Sequence, residues 1–415
     1  MLIKLIFFTL VLLCNWQCNA KKYARFSMKN DDIAATLAAT YIQETRGLQS
    51  LPVDICFGCA DIKYNDGKFK IVECGDGIYM SLRATDVVMN NKQYNLVAPF
   101  WGLLWHQLAQ FGIPVWHVEA ISSKEAFAVS EYKKLGILYQ PSLSALENSL
   151  EFQAAESQVK ASPKRITDSA GIVVFAAASE STRDGITYQE FKKKHPLFIY
   201  VNRTARNYLK RKDNTYKLFQ SAGLTDYIPQ FKLFPRAFSP EAVEQITQAF
   251  PEEKLIVIKP TFSSLSMGVN VVSSLGLNSF LKRILKHPEK ISPQASRGLA
   301  FWRTTKQPLF IASEYVPSKT IYKDGKPYDP TMRVMFILYH NNRQIVANVL
   351  GGFWKIPVKP LNDFHATETE KHVTIAHAGD YFSGILLEAE ESKRMKQVLA
   401  PVLARAYEQM LLEQI

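Results

Sequence analysis

Apolar and polar positions change rhythm several times along the chain. Leu2 to Leu13 is apolar except for Lys4 and Thr9. Asp31 to Gln49 reads as a helix, with Asp31-Asp32 at its start and Gly47 near its end. Val53 to Ile78 reads as two strands around Asn65-Asp66-Gly67, and Val97 to Val118 as strand, helix, strand. The runs from Gly171 and Phe198 are short and apolar, as buried strands are. Strands alternating with helices between about 91 and 200 predict a parallel α/β layer, with the polar stretch Leu146 to Arg165 as an exposed helix or linker. After about 205 the rhythm changes. Asn207 to Ala222 has helical spacing and stops at Gly223. Short strands follow at Leu255–Lys259, Asn270–Val272, Leu309–Val316, Met332–Leu338 and Gln344–Leu350, and a long helix runs from about Leu386 to Glu413. This half reads as α+β with an antiparallel sheet.

The first apolar run is short for a membrane-spanning helix, which needs about 20 residues. Lys4 supplies a positive start, and Cys18 and Ala20 precede Lys21 as a weak small-residue cleavage site. Residues 1–20 are therefore expected to be a signal peptide, placing the protein outside the cytosol, secreted or periplasmic. An uncleaved N-terminal anchor is the alternative. Cleavage removes one lysine and no acid, taking the net charge from +12 to +11. It also leaves three cysteines, Cys56, Cys59 and Cys74, read as buried thiols or an incidental disulfide, because no second Cys or His pair lies nearby to complete a zinc site. With 47% hydrophobic and 21% charged residues, a disordered or collagen-like chain is excluded. The basic residues are dispersed. Their densest runs, Lys192 to Lys194 and Lys210 to Lys212, carry no nucleic-acid motif, so no specific nucleic-acid partner is expected. Asn202-Arg203-Thr204 fits the N-glycosylation pattern.

The stretch richest in chemistry is Leu255-Ile-Val-Ile-Lys259-Pro-Thr-Phe-Ser-Ser-Leu-Ser-Met-Gly268. A lysine ends an apolar strand, a loop of small hydroxyl residues follows, and a glycine permits a turn. Such a loop can lie over polyphosphate and donate backbone N–H groups while the lysine neutralises charge. An ordinary β-hairpin with a surface lysine has the same pattern.

In these residues the sequence resembles the ATP-grasp superfamily, most visibly its D-alanine–D-alanine ligase branch. Lys259, Pro260, Ser263 to Ser266 and Gly268 match the strand, loop and glycine of that family. Lys212 opening a helix that ends in Ala222-Gly223 matches its upstream lysine. Ile311-Ala-Ser-Glu314-Tyr-Val316 matches the strand to the adenine hinge, and Asp329 to Phe336 and Gly351 to Pro357 the strands beyond. The resemblance implies an ATP-grasp fold with an adjoining Rossmann-like parallel layer. It implies ATP held by Lys212, Lys259, Ser264, Ser266, Gly268, Glu314 and Val316, and Arg333 and Lys355 steadying an acyl phosphate. Lys355 stands where relatives usually carry arginine.

The family's Mg²⁺ ligands, an Asp and a Glu on adjacent strands, follow its last helix, but here the chain ends with that helix. Asp61 and Glu73, on the predicted hairpin near the other end, supply the missing pair, so the resemblance implies a circular permutation. A three-residue loop at Asn65–Gly67 would set Cys59 opposite Glu73 and bring both carboxylates to one face. A two-residue turn at Asp66-Gly67 would separate them. Gly75 stands where the family has an asparagine ligand. The expected organisation is a signal peptide (1–20), an N-terminal segment with the metal hairpin (21–90), a Rossmann-like layer (91–204) and an ATP-grasp domain (205–415). The expected chemistry is ATP- and Mg²⁺-dependent ligation of a small-molecule or peptide carboxylate to an amine or thiol. A secreted nucleotide-binding pseudoenzyme and a kinase on the same fold are the rival readings. His365, His372 and His377 are candidates for substrate contact or for incidental places in a lid loop; His106 and His117 are expected to be structural.

Overall fold

The computed structural model describes residues 39–45, 48, 51, 53–65, 67–75, 113–118, 136–161, 169–175, 187–251, 253–263, 266–340, 343–374 and 384–414. The signal-peptide expectation, Ser264, His106 and His377 lie outside them. The first described element corrects the sequence reading. Residues 39–44, expected to be helical, form strand β1 (Ala39–Glu44). Thr40, Tyr41 and Ile42 suit a pleated surface, and a partner more than 300 positions away, Gln344 to Val349, fixes the choice. Local pattern carries no record of that pairing.

Strands β2 (Asp54–Asn65) and β3 (Lys68–Gly75) form the expected hairpin. Asn65 pairs with Lys68, so the loop holds two residues, with Gly67 at φ 84°. A two-residue loop alone would have put the acids on opposite faces. The register instead shifts between Asp61 and Ile62: Ile62 pairs with Ile71, and Asp61 with Glu73. Val72 is the extra residue of a β-bulge. The bulge restores the shared face that the wrong loop length had predicted, and Cys59 faces Gly75 rather than Glu73.

A parallel layer comes next. It contains β4 (Val115–Val118), β5 (Leu138–Gln140), α1 (Leu143–Glu147), α2 (Leu150–Ala161), β6 (Gly171–Phe175), α3 (Tyr188–Lys194) and β7 (Phe198–Tyr200). The strands run parallel in the order β5-β4-β6-β7. Phe152, from α2, stacks on Phe198 against Trp116. Past β7, Asn202 takes φ 62° and spends its amide on the backbone N–H and carbonyl of Phe57 in β2. That use of the side chain argues against the glycosylation reading.

Asn207 to Ala222, expected as one helix, is broken at Arg211, which is extended (φ −117°, ψ 115°) between α4 (Arg206–Lys210) and α5 (Lys212–Ser221). The break frees the Lys212 N–H to donate to the Thr261 carbonyl at 2.9 Å, so α5 begins against the Lys259–Gly268 loop. A small antiparallel sheet follows, built from β8 (Phe231–Pro235), β9 (Leu255–Pro260), β10 (Asn270–Ser273) and β11 (Leu309–Glu314) in the order β10-β9-β11-β8. Helices α6 (Pro240–Ala249), α7 (Leu277–Leu281) and α8 (Arg297–Thr304) contribute to its core, where Ile246, Ile256, Ile258, Leu277, Trp302 and Phe310 are buried together.

The hairpin β12 (Ile321–Lys323) and β13 (Lys326–Tyr328) leads into β14 (Thr331–His340) and β15 (Gln344–Lys355). A strap then carries α9 (Glu368–His372), followed by β16 (Gly384–Leu386) and the long α10 (Ala389–Leu412). Here segments far apart in sequence meet. The large sheet runs β1-β15-β14-β2-β3, with β16 also on β15. One face packs on α10 and α5, burying Ile62, Ile71, Val334, Phe336, Trp354, Leu399 and Tyr407. The other face carries Asp61, Glu73, Arg333 and Lys355. Close approach of β14 and β15 requires Gly352, because a Cβ there would lie 1.9 Å from the Arg333 carbonyl. The α/β plus α+β class expected from the sequence is the class observed.

Candidate active site

Four adjacent strands set the centre of the site. Asp61 on β2 lies between Glu73 on β3 and Arg333 on β14, all in register, and Lys355 is two residues beyond Phe353, the partner of Arg333 on β15. Side chains two apart share a face, so the four groups converge. Arg333 grips Asp61 with two hydrogen bonds, Nε to Oδ1 at 2.7 Å and Nη2 to Oδ2 at 2.9 Å, and Lys355 Nζ adds a third to Oδ2 at 2.6 Å. Burial works against the Asp61 carboxylate, but the charges of Arg333 and Lys355 outweigh it and hold its pKa well below the usual range. Burial and the neighbouring Arg333 push Lys355 down.

Beside them lies the lysine and loop expected at the phosphates. Lys212 Nζ donates to the Ser263 carbonyl (2.7 Å) and Oγ (3.1 Å) and pairs with Glu73 at 3.1 Å. Lys259 Nζ donates to Tyr216 Oη and to the carbonyl of Val72, the bulge residue, at 3.2 Å. Burial and the nearby Lys212 charge lower Lys259 to about 7, partly opposed by Glu73. Ser266 sits in the left-handed region at φ 57° and Gly268 at φ 77°. Gly268 accepts hydrogen bonds from Asn270 and Trp302, and a Cβ at Gly268 would lie 2.8 Å from Phe301 and Pro260. The loop backbone is thus fixed at its far end.

A cleft of about 630 Å³, part of it open to solvent, runs between the two antiparallel sheets. Asp61, Glu73, Lys259, Ser266, Glu314, Val316 and Lys355 line it. Lys212 and Arg333 stand just behind the lining, bound to Glu73 and Asp61. Of the lining residues, Glu314 accepts from the Gln230 N–H at 2.9 Å and lies 3.6 Å from Lys70.

The lining residues Lys63, Tyr315 and His372 belong to a network the sequence reading missed. Asp329 Oδ2 is met by Lys63 Nζ at 2.8 Å, by His372 Nδ1 at 2.9 Å and by the Tyr315 hydroxyl. His372 Nε2 reaches Glu368 at 3.2 Å. Burial raises the Asp329 pKa, but the Lys63 charge and these hydrogen bonds overcome it and leave about 2. Lys63 was legible as the same-face neighbour of Asp61, two residues along β2. His372, one of the weighed histidines, is drawn in by the strap, where Thr369 bonds to both the N–H and carbonyl of Val271 on β10. His365 is exposed on the same strap, and His117 is buried in β4 against Tyr139.

Magnesium needs hard oxygen donors, and Asp61 and Glu73 are a facing carboxylate pair of that kind. Among the described residues no group of three or more His, Cys, Asp or Glu side chains could hold a metal ion. The pair fits Mg²⁺ only if phosphate oxygens or water complete its coordination.

No family model matches the chain, and no curated protein matches it. Among solved structures it is similar to a gamma-glutamylcysteine synthetase-like protein from Methylobacillus flagellatus KT, with 10% identity over 91% of this chain and 99% of the other, and a TM-score of 0.42. It is also similar to D-cycloserine synthetase DcsG, with 13% identity over 73% and 82% and a TM-score of 0.36. A third is D-alanyl-alanine synthetase A from Vibrio cholerae O1, with 11% identity over 72% and 81% and a TM-score of 0.32. With TM-scores of 0.42 or less, these likenesses decide nothing about the chemistry of this chain, which stands on its own side chains.

Proposed function

We propose that the cleft binds ATP together with Mg²⁺ and passes the γ-phosphate to a carboxylate, giving an acyl phosphate that an amine or thiol attacks. One observation carries this reading. Four basic side chains (Lys212, Lys259, Arg333 and Lys355) gather around Asp61 and Glu73 in one part of a cleft that Glu314 also lines. Such an excess suits a polyanion, and two of the amines face the cleft directly. Lys212 and Lys259 bind phosphate, Arg333 and Lys355 neutralise the charge that develops on the transferred group, and Glu314 and Val316 meet the base. Asp61 and Glu73 would hold Mg²⁺, which neutralises phosphate charge when bound. The hairpin lies against β14 although it comes from the opposite end of the chain, as the permuted order requires.

A second reading, nucleotide binding without transfer, is favoured by the engagement of Asp61 with both Arg333 and Lys355 and by Gly75 at the place of a third ligand. Phosphate release from ATP, measured with and without Mg²⁺, a panel of carboxylates and an amine, separates the two. The ligase reading expects release that depends on the carboxylate. Binding of ATP without release supports the second reading, phosphorylation of a hydroxyl acceptor supports a kinase, and failure to bind ATP refutes all three.

A further inference from the structure

We propose that Tyr216 is a positioning residue for ATP: its hydroxyl and the carbonyl of the Val72 bulge together aim the Lys259 ammonium into the cleft. The inference rests on the ATP reading above but assigns a role to a residue which that reading does not use.

Tyr216 lies four residues after Lys212 on α5, one turn further along the same helix face. It is fully buried, with its ring against Phe231 at 4.8 Å. Its hydroxyl does two things at once: it donates to the Val72 carbonyl at 2.7 Å and accepts from Lys259 Nζ at 2.5 Å. Lys259 reaches the same Val72 carbonyl at 3.2 Å and lies 4.7 Å from the centre of the Tyr216 ring. An ammonium has three N–H donors. Two are taken by this hydroxyl and this carbonyl, and a third remains for the cleft that Lys259 lines.

The choice of partners matters chemically. Lys212 is held by a carboxylate, Glu73, which offsets its charge. Lys259 is held by a hydroxyl, a carbonyl and a ring face, which orient the amine without cancelling the charge ATP would meet. Burial pushes the Tyr216 phenol well up, so the hydroxyl stays neutral. The bulge has a purpose here as well. Val72 has no opposite number on β2, and its carbonyl serves Lys259 and Tyr216. One extra residue therefore brings the two acids to one face and supplies half of the lysine's seat.

The test is a double-mutant cycle on the full chain, with MgATP affinity read by calorimetry and folding by circular-dichroism melting. Tyr216→Phe keeps the ring and removes the hydroxyl, and is expected to weaken MgATP about tenfold. In a Lys259→Met background the same change is expected to cost nothing further, because there is no ammonium to aim. A purely structural role would lower the melting temperature in both backgrounds and leave no coupling in affinity. Equal affinity of wild type and Tyr216→Phe, or an equal loss in both backgrounds, overturns the inference. If wild type binds no ATP, the underlying reading fails instead.

Discussion

On the proposed reading, Lys259 makes ATP binding a proton-linked event. In the free protein its pKa is about 7, lowered by burial and by Lys212. At pH 6 most of it is charged; at pH 8 only about a tenth is. Phosphate binds the ammonium and raises its pKa, so above pH 7 each ATP must bring a proton with it. That costs about 1.4 kcal/mol per pH unit, a tenfold loss of affinity per unit until the pKa of the bound state is reached. A charge-assisted contact contributes roughly 1.5–3 kcal/mol. Lys259→Met should therefore weaken MgATP by about one to two orders of magnitude at pH 6, and by about tenfold less at pH 8. Calorimetry at both pH values, in paired buffers of unlike ionisation enthalpy, reads the proton directly. Uptake should approach one per ATP at pH 8 in wild type, fall toward zero at pH 6, and vanish in Lys259→Met, which also corrects for protons carried by ATP itself. Equal uptake by wild type and variant at pH 8 would refute the assignment of Lys259 to the phosphates. Stability follows with its own sign. Between pH 7 and 10.5 the unfolded chain holds a proton the folded chain lacks, so wild type gains stability as pH rises through that window, and Lys259→Met flattens the gain.

Asp61→Asn leaves Arg333 and Lys355 as buried cations without their counter-charge and should cost about 3–5 kcal/mol in chemical denaturation, whereas Glu73→Gln, at a side chain 24% exposed, should cost about 1 kcal/mol; equal costs would contradict the geometry. Asp329, with a pKa of about 2 against an ordinary 3.8, contributes about 2 kcal/mol that is present above pH 3.8 and lost as pH falls toward 2. Acid titration followed by near-ultraviolet dichroism should show this loss, and it should be absent in Asp329→Asn. Gly268→Ala combines a positive φ with a 2.8 Å clash and should lower stability by about 1–3 kcal/mol, visible in thermal melts.

Much of the site was written locally. Lys259 follows four apolar strand residues and precedes a hydroxyl-rich loop, and both features survive folding in place. Asp61 and Glu73 were legible as a facing pair, but the route to that pairing was not. The loop is one residue shorter than expected, and the bulge that compensates is set at Val72, whose carbonyl is claimed by Lys259 and Tyr216 from distant segments. Strand β1 was misread because its partner, β15, lies about 300 residues away. The Asp329 network was invisible for a related reason. Its members stand 43 and 266 positions apart, and no short motif joins Lys63 to Asp329 or Asp329 to His372.

The pairing of β2 with β14 also sets a timetable. Eleven of the twelve residues of β2 are buried in the finished protein, yet Asp61 meets Arg333 only across 272 positions of sequence. At a synthesis rate of roughly 5–20 residues per second, the hairpin leaves the ribosome on the order of tens of seconds before its partner exists. Throughout that interval the β14-facing edge of β2 is open to any other extended chain. The strands of the parallel layer and of the small sheet are all synthesised before β14, while β1, β2 and β3 still await β14 and β15. A holdase supplied during translation should therefore raise soluble yield, and a holdase added only after release should not. The register that sets Asp61 beside Arg333 is thus also the one whose strand edge stays open for most of synthesis.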